Sequence, residues 1–538
     1  MEIEIMRERA IAKMWNSKAG VAKIAELFNV GTLENIDKHA FSKNEKTRRN
    51  NTFLNSSVMA TTMDMTITAE TVQAEAGRMF GHKTAPKHEE ILDQIIEHLQ
   101  PIDFYEEANL EAGEKLTAKH QIVITVRQVL KAASGLNLGL CRNQAFLYSF
   151  NGEFWGLIER EDLERFLRKC ADKLGVDKIT ANYHKFAGEL YKQFLTLASK
   201  AKTVERDDTV VINLKNGTFE VTKNKFHLRE FRREDFLTYQ LDFDFDKSAA
   251  YPKWQEFLDK VLPDASCQDI LAEYIGYVFA RHLKLEKTMI LFGTGANGKS
   301  VVFDVVNALL GQENVSNYSL ESLCGEYYRA MIANKLLNYS SEISIRLQTE
   351  KFKQLTSGEP VEARLPYGQP MTLRKYARLA FNSNELPKDV EHNEAFFRRF
   401  LIIPFDVTIA EADRNPNLAK EIIETELSGV FNWVLEGLQR LLTQEKFSPC
   451  VAAQVLLNDY KKMSDSAAMF VEDENYQPSA NYTTLRELYQ EYKAYCSDNG
   501  YRALGRNKFS KRLEANGLPR QDRNQPVFYI EKMPRLSI

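Results

Sequence analysis

The chain has 538 residues, and single hydrophobic cores stop growing at about 250–300 residues, so several domains are expected. Hydrophobic residues make up 44% and charged residues 27%, which is a globular composition, and no apolar run reaches the roughly 20 residues that span a bilayer. The net charge is −3, so any contact with nucleic acid must come from local basic patches.

The first ten residues and the cysteines indicate the compartment. MEIEIMRERA is charged and lacks the apolar core of a signal peptide. The six cysteines are far apart and form no CxxC pair, which argues against a zinc knuckle and against a disulfide framework. These observations favour a reducing cytoplasm and predict no membrane contact.

Residues 1–70 predict a helical segment followed by a linker, because residues 41–70 are polar, rich in Asn, Ser and Thr, and aperiodic. The pattern assigns no function to this segment.

Residues 71–285 predict a mixed α/β domain. Gln144–Leu157 and Thr209–Val221 each contain two apolar runs around an Asn-Gly pair, the strongest short signal for a β-hairpin. Leu241–Asp246 (LDFDFD) alternates acids with aromatic residues. Its acids are either metal ligands or the solvated acids of an ordinary strand or turn, and the second interpretation is favoured because no further acidic or His cluster lies upstream. Trp254–Arg281 predicts two amphipathic helices.

The strongest motif is GTGANGKS, which follows the apolar run Met289–Phe292 and precedes the helical pattern Val301–Leu310. Strand, glycine-rich loop and helix N-terminus together predict a phosphate-binding P-loop. Its residues are Gly293, Thr294, Gly295, Ala296, Asn297, Gly298, Lys299 and Ser300. Lys299 is expected to contact the β- and γ-phosphates of ATP, and the Ser300 hydroxyl to hold Mg²⁺.

Two further strands end in candidate catalytic side chains. Lys335–Ser340 predicts a short strand, and Glu342 follows it in a position to polarise the attacking water. Arg378–Phe381 predicts another strand, after which Asn384, or in its place Asn382, is expected to sense the γ-phosphate.

Arg398 and Arg399 precede a further apolar run, residues 401–405. They are either plain surface charges or arginine fingers that stabilise charge on the γ-phosphate of a neighbouring subunit's nucleotide.

Residues 353–374 predict a helix that ends at Gly358 and then a projecting hairpin. The hairpin and its base carry cations and an aromatic residue, a combination that suits single-stranded nucleic acid. The candidate DNA contacts are Lys353, Arg364, Tyr367 and Arg374.

The C-terminal part predicts a helical extension over 411–466 and a separate small unit over 470–538. Thr484-x-x-Glu487 is a capping box, and helix, helix and strand follow in the order typical of a winged helix. Within 501–520 six basic residues accompany one acid, which favours a phosphate-binding face over a solvated helix face. The candidates that we take from it are Arg506, Lys508, Lys511 and Arg512.

In this order and spacing the motifs resemble superfamily 3 helicases, and in particular the phage/plasmid and poxvirus-type primase-helicases. The resemblance is carried by GTGANGKS, the strand ending in Ser341-Glu342, KQLTSGEPVEAR, FNSNELP and FFRRFLIIPF, with INLKNG, LDFDFD and YIGYVFA upstream. It implies an AAA+-like ATPase core over 286–410, preceded by the mixed α/β domain and followed by the winged helix.

The resemblance also implies a function and site roles. The chain is expected to be an ATP-dependent replicative DNA helicase that forms a homo-hexameric ring and moves 3′ to 5′ on single-stranded DNA. Glu342 is then the catalytic acid, Asn384 the sensor, and Arg398 with Arg399 the fingers. Duplex DNA and a separately encoded primase or polymerase are further expected partners, in the cytoplasm of a bacterial host if a phage or plasmid encodes the chain.

The sequence departs from the family pattern at two points, of which the first favours a non-catalytic initiator and the second argues against primase activity in this chain, and two rival interpretations stay open. Ser341 stands where many related ATPases carry Asp, and the first 110 residues show no archaeo-eukaryotic primase pattern. One rival is an initiator that uses ATP only for assembly. The other is an AAA+-type ATPase that remodels protein or packages DNA.

Overall fold

The structure is a computed structural model, and it describes residues 86–111, 113–199, 209–223, 225–341, 343, 349–387, 390 and 392–534. The expected N-terminal helical segment and linker over 1–70 lie outside these residues, and so does Glu342.

The α-helices of the described residues are α1 His88–His98, α2 Phe104–Glu107, α3 Ala118–Gly135, α4 Arg160–Leu174, α5 Lys178–Asn182, α6 His184–Leu197, α7 Pro252–Val261, α8 Ala265–Phe279, α9 Lys299–Leu310, α10 Glu326–Met331, α11 Thr349–Ser357, α12 Glu394–Phe397, α13 Leu418–Gln444, α14 Val451–Met463, α15 Ser466–Asp473, α16 Leu485–Asp498 and α17 Arg506–Ala515. None of them is both long and apolar enough to cross a membrane.

The strands are β1 Gly139–Asn143, β2 Phe146–Phe150, β3 Trp155–Ile158, β4 Val210–Leu214, β5 Gly217–Val221, β6 Phe226–Arg229, β7 Thr288–Phe292, β8 Val315–Ser316, β9 Leu337–Ser340, β10 Val361–Arg364, β11 Pro370–Leu373, β12 Arg378–Ser383, β13 Phe400–Pro404, β14 Tyr476–Thr484, β15 Arg520–Asp522 and β16 Pro526–Lys532. The architecture is therefore mixed α/β.

Both hairpins expected from Asn-Gly pairs are confirmed. β2 and β3 pair antiparallel with Phe150 opposite Trp155, and the Asn151 side chain accepts backbone hydrogen bonds within their turn. β4 and β5 pair around Asn216 and Gly217. An Asx-type side chain and a glycine are what these tight turns require.

The acids of the LDFDFD segment lie in solvent. Asp242 is exposed and pairs with Lys215 at 2.7 Å, and Asp244 and Asp246 are also exposed. Leu241 is buried and forms an isolated bridge to Leu214. The segment is thus an irregular edge of the small sheet, and the interpretation as solvated acids fits it.

A five-stranded parallel sheet in the order β13-β7-β12-β9-β8 forms the centre of the chain. In a parallel sheet all strands begin along one edge and end along the other. The loop after β7 and the residue after β12 therefore share the edge where strands end. The residues just before β13 lie at the edge where strands begin.

The expected boundary at residue 285 does not separate two cores. Val210, Trp254 and Tyr277 belong to the same buried cluster as Leu291 of β7 and Val434 of α13. The described residues between 86 and 199 contribute a separate buried cluster, formed by their helices together with Leu140 of β1 and Leu147 of β2. Since one hydrophobic core needs continuous contact, residues 209–285 are packed as part of the central sheet unit.

Helix α8 was expected to be amphipathic, but it is buried on nearly every side. It lies against α13 at close range: a Cβ added to Gly437 would meet the Ala272 carbonyl carbon at 2.5 Å, and one added to Gly276 would meet Leu438 at 2.8 Å. The two glycines thus allow the helix backbones to approach closely.

The C-terminal unit has its own buried cluster and the order α15, β14, α16, α17, β15, β16, with a sheet ordered β14-β16-β15. The capping box of Thr484 and Glu487 is present at the start of α16, and α17 follows as the second expected helix. Strand β14 was not expected, because its Ser, Asn and Thr residues resemble a loop and its pairing partner lies about fifty residues later.

Candidate functional site

Lys299 lies beneath the glycine-rich loop, in the first turn of α9. Its Nζ donates hydrogen bonds to the carbonyl oxygens of Gly293 and Thr294 and to Oδ1 of Asn297. The residue is only 8% exposed, and this burial lowers the pKa of its ammonium group. The loop therefore holds one cation at its centre, where a phosphate oxygen is a stronger acceptor than a carbonyl.

The loop backbone is shaped for a close approach. Gly298 has φ +88°, and a Cβ there would lie 2.9 Å from Phe257 and Val261. The Asn297 amide donates to the Phe405 carbonyl at 2.8 Å, which ties the loop to the chain after β13. A Cβ on Gly293 would lie 2.3 Å from that same oxygen. Only glycine fits both ends of this loop.

The tip of the loop faces solvent. Thr294, Gly295 and Ala296 are exposed, as is Ser300 in the first turn of α9. Exposed backbone amides at a helix N-terminus are suited to an anion such as phosphate. The Ser300 hydroxyl fits a magnesium ligand, and Ser341, also exposed, offers a second hydroxyl but no carboxylate.

The strand end that carries Asn384 meets the loop. The Gly293 amide donates to the Ser383 carbonyl at 3.2 Å, and exposed Asn384 follows directly. Asn382 is half-buried and accepts a hydrogen bond from the Tyr339 hydroxyl at 3.0 Å. Asn384 is thus the more accessible of the two candidate sensors. Glu342 lies outside the described residues, two positions after β9 ends at Ser340.

Arg398 and Arg399 lie at the opposite edge of the sheet. β13 begins at Phe400, which pairs with Thr288, the first residue of β7, whereas the loop follows the last residue of β7. Five residues at about 3.3 Å each separate the two edges by roughly 15 Å. Neither arginine therefore faces the loop of its own chain.

The structure distinguishes between the two arginines. The Arg398 side chain is 54% exposed and pairs with Glu286 at 2.5 Å. The Arg399 side chain is 9% exposed, donates to Ser357 Oγ at 2.8 Å and to the Ala395 carbonyl, and also pairs with Glu286. Arg398 is accessible to another molecule. The finger role expected of Arg399 does not fit its buried position, because its guanidinium is bound within its own chain.

Two residues of this arrangement, Glu286 and Ser357, are not among the candidates that the sequence predicts. Neither carries a local signal, since a Glu before a strand and a Ser at a helix end are ordinary. Their importance follows only from the contacts that they make with the arginine pair.

The expected hairpin is present as β10 and β11. Tyr367 at its tip is fully exposed, with φ +57°, and Arg364 Nε donates to the Gly368 carbonyl at 2.9 Å. Arg374 is exposed just after β11. Lys353 lies on α11, the helix that precedes β10, and its side chain is only 18% exposed and pairs with Glu350 at 3.5 Å.

The basic face of α17 is smaller than expected. Arg506, Lys508 and Lys511 are exposed, and the two lysines lie one turn apart. Arg512 instead turns inward, pairs with buried Asp465 at 3.2 Å and donates to the His392 carbonyl at 2.9 Å. Positions 508 and 512 lie four residues apart on the same side of the helix, so the difference comes from the partners that the Arg512 side chain finds in Asp465 and the His392 carbonyl.

Three families match separate parts of the chain. Residues 111–263 match a family described as D5 N terminal like, and residues 462–523 match one described as Poxvirus D5 protein-like. Residues 291–399, which contain most of the candidate site, match a family of unknown function, DUF5906.

Individual proteins are similar at low identity. A helicase-named protein of Acanthamoeba polyphaga mimivirus is 21% identical over 273 residues, which are 47% of this chain and 28% of that protein. The chain therefore spans little more than a quarter of that relative. Two apo structures of the C-terminal region of NrS-1 are 11% identical, with TM-scores of 0.44 and 0.43, and cover 74% of this chain and 98% and 97% of theirs.

The two D5 matches flank the central sheet, and the mimivirus relative carries a helicase name. Together they support the resemblance to the phage and poxvirus-type primase-helicases that the motifs indicate.

Proposed function

We propose that the chain is an ATP-dependent replicative DNA helicase that works as a ring of identical subunits. One observation carries the proposal: the glycine-rich loop with Lys299 and the exposed Arg398 lie at opposite edges of one parallel sheet. A subunit built this way has a phosphate site on one side and a free guanidinium on the other. Head-to-tail contact between identical subunits brings the two together, and closure of such contacts gives a ring.

In this proposal the sheet unit is an AAA+-like ATPase core. Lys299 and the loop amides stabilise the β- and γ-phosphates of ATP, and Ser300 holds the Mg²⁺ that helps to neutralise them. Asn384 orients the attacking water, Glu342 accepts its proton, and the neighbour's Arg398 stabilises the developing charge. The ring that we expect is a homo-hexamer.

The same proposal assigns two surfaces to DNA. The hairpin tip, with Tyr367 next to Arg364, offers an aromatic face and a cation to single-stranded DNA. The C-terminal unit is a winged helix whose Arg506, Lys508 and Lys511 contact duplex phosphates. A separately encoded primase or polymerase is the protein partner that such a helicase requires.

The test of the proposal is an ATPase assay with and without single-stranded DNA on size-fractionated protein. We expect hydrolysis in the fraction that contains rings, and stimulation by DNA. ATP binding without hydrolysis would instead favour the initiator that uses ATP for assembly. Hydrolysis that ignores DNA would favour a protein-remodelling ATPase.

Replacement of Glu342 by glutamine should preserve ATP binding and stop hydrolysis, because the amide has nearly the same shape but cannot accept a proton. The variant should hold ATP-bound rings on DNA, which size-exclusion chromatography with labelled DNA would detect. Glu161→Gln, at an exposed acid of α4, is the control, because Glu350 of α11 becomes the candidate acid if Glu342 is not the base. Near wild-type turnover by Glu342→Gln would assign the base to another residue.

The double variant Lys508→Ala/Lys511→Ala should bind duplex DNA more weakly and with a smaller salt dependence. Each lost phosphate contact lowers the slope of log affinity against log salt by about one. Lys169→Ala/Lys173→Ala removes two exposed helical lysines from α4 and serves as the matched control. Equal affinities and equal slopes for the two double variants would rule out α17 as the duplex contact.

A further inference from the structure

Buried Arg399 connects three separate parts of the central unit. One terminal nitrogen donates to the Ala395 carbonyl in α12, and the other donates to Ser357 Oγ, the last residue of α11, at 2.8 Å. The second nitrogen also lies 3.3 Å from the Glu286 carboxylate, just before β7. Arg399 Nε has no hydrogen-bond partner among the described residues, so the guanidinium is held entirely through its two terminal nitrogens.

The end of α11 is fastened to the sheet at two further points. Thr356 Oγ1 and Thr288 Oγ1 are 2.9 Å apart and buried, and Thr288 is the first residue of β7. The Phe352 ring stacks on the Phe400 ring of β13 with centroids 5.0 Å apart. Helix α11 therefore rests on the strand that leads to the glycine-rich loop and on the strand that follows the arginine pair.

The C-terminal end of α11 leads directly into the β10–β11 hairpin, the surface proposed above to contact single-stranded DNA. Ser357 is followed by Gly358, which has φ +67°, and β10 begins at Val361. The Tyr376 hydroxyl donates to the carbonyl oxygens of Gln354 and Glu359, which stiffens this connection. Because this connection is short and hydrogen-bonded, a displacement of Ser357 should also displace the start of the hairpin.

Glu286 holds both arginines with one carboxylate oxygen, at 2.5 Å from Arg398 and 3.3 Å from Arg399. Arg398 is the exposed partner, so it is free to move to a stronger anion such as a phosphate. When it does, Glu286 retains Arg399 as its remaining partner. Exchange of Arg398 between Glu286 and a phosphate would give these ion contacts a second arrangement, and two arrangements are what coupling between sites requires.

We propose that Glu286, Arg399 and Ser357 form a relay within one chain. The relay couples nucleotide binding in the neighbouring subunit to the position of this chain's β10–β11 hairpin. The proposal rests on the proposed function, since it assumes that Arg398 meets a neighbour's nucleotide. When Arg398 moves away, the Glu286 carboxylate moves closer to the Arg399 guanidinium. The resulting shift of Arg399 displaces Ser357 and the start of the hairpin. Arg399 and Ser357 are positioning residues that touch neither ATP nor DNA.

The experiment compares DNA-stimulated with basal ATP turnover in three variants of the full chain. Ser357→Ala removes the hydroxyl that Arg399 binds. Ser357→Thr keeps that hydroxyl. Thr356→Ser removes one methyl group at the adjacent buried position but keeps the Oγ that meets Thr288. Melting temperature and ring assembly are measured for each variant.

We expect Ser357→Ala to keep basal turnover within about twofold of wild type and to lose most of the stimulation by DNA, together with unwinding. Ser357→Thr and Thr356→Ser should retain both. A wild-type stimulation ratio in Ser357→Ala would overturn the relay, and so would an equal loss in Thr356→Ser. A loss of basal turnover with a large fall in melting temperature would overturn it as well, since Ser357 would then only support the fold. Absence of DNA stimulation in the wild type would overturn both the relay and the proposed helicase.

Discussion

Replacement of Lys299 by alanine is expected to abolish ATP turnover, with a fall of roughly a hundredfold or more, since one preorganised charge on the reacting phosphates is lost. The loop encloses the Lys299 ammonium, which donates hydrogen bonds to Gly293, Thr294 and Asn297. Nucleotide affinity should also fall. The measurement is steady-state phosphate release together with equilibrium binding of a fluorescent ATP analogue.

The fold should survive this change, because Asn297 still ties the loop to the Phe405 carbonyl and Gly298 keeps its backbone conformation. Circular dichroism and thermal melting would check this. Lys284→Ala, at an exposed lysine before β7, is the control for loss of a positive charge. Wild-type hydrolysis by Lys299→Ala would remove the phosphate site from the proposal altogether.

Replacement of Arg398 by alanine is expected to leave ATP binding normal and to slow hydrolysis by roughly 10³-fold or more, the range found for arginine fingers. The side chain is exposed and lies at the edge of the sheet away from its own loop. Its loss leaves Glu286 paired with Arg399, so no buried charge is abandoned. Arg160→Ala removes a similarly exposed, ion-paired arginine from α4 and is the control.

Mixing distinguishes a contact between subunits from a contact within one. In a mixture of Arg398→Ala and Lys299→Ala, an intact loop from the first variant can meet an intact arginine from the second. Random assembly places such a combination at about a quarter of the interfaces of a ring. The mixture should therefore regain part of the turnover that neither variant has alone. Differently tagged subunits would show whether the two variants co-assemble. If they do and turnover does not recover, Arg398 is an ordinary surface charge and has no finger role.

Most local structure was predictable because its signals are local. Asn-Gly pairs located both hairpins, Gly358 marked the end of α11, and Thr484 with Glu487 marked the start of α16. Each depends on backbone geometry within a few residues, which the neighbouring sequence largely determines. Strand β14 was missed because its stability comes from a partner about fifty residues away.

The candidate site stands out in the sequence as a set of residues, whereas the arrangement of those residues does not. The loop residues, Asn384 and the arginine pair stand in recognisable motifs. Which arginine is exposed was not contained in the motif, since both follow the same short helix. Burial of Arg399 depends on Ser357, forty-two residues earlier, and on Glu286, still further away.

By itself, the sequence determined the strand, loop and helix around Lys299, the hairpin with Tyr367 and the order of the motifs, because these follow from backbone preferences and short-range periodicity. The tertiary structure decided which side chains are buried, which are exposed, and which elements of the chain they contact. It placed Arg398 across the sheet from its own loop, turned Arg512 towards Asp465, and packed residues 209–285 into the central core. The physical reason is that burial and ion pairing depend on surfaces brought together by the whole fold, and no window of sequence contains both surfaces.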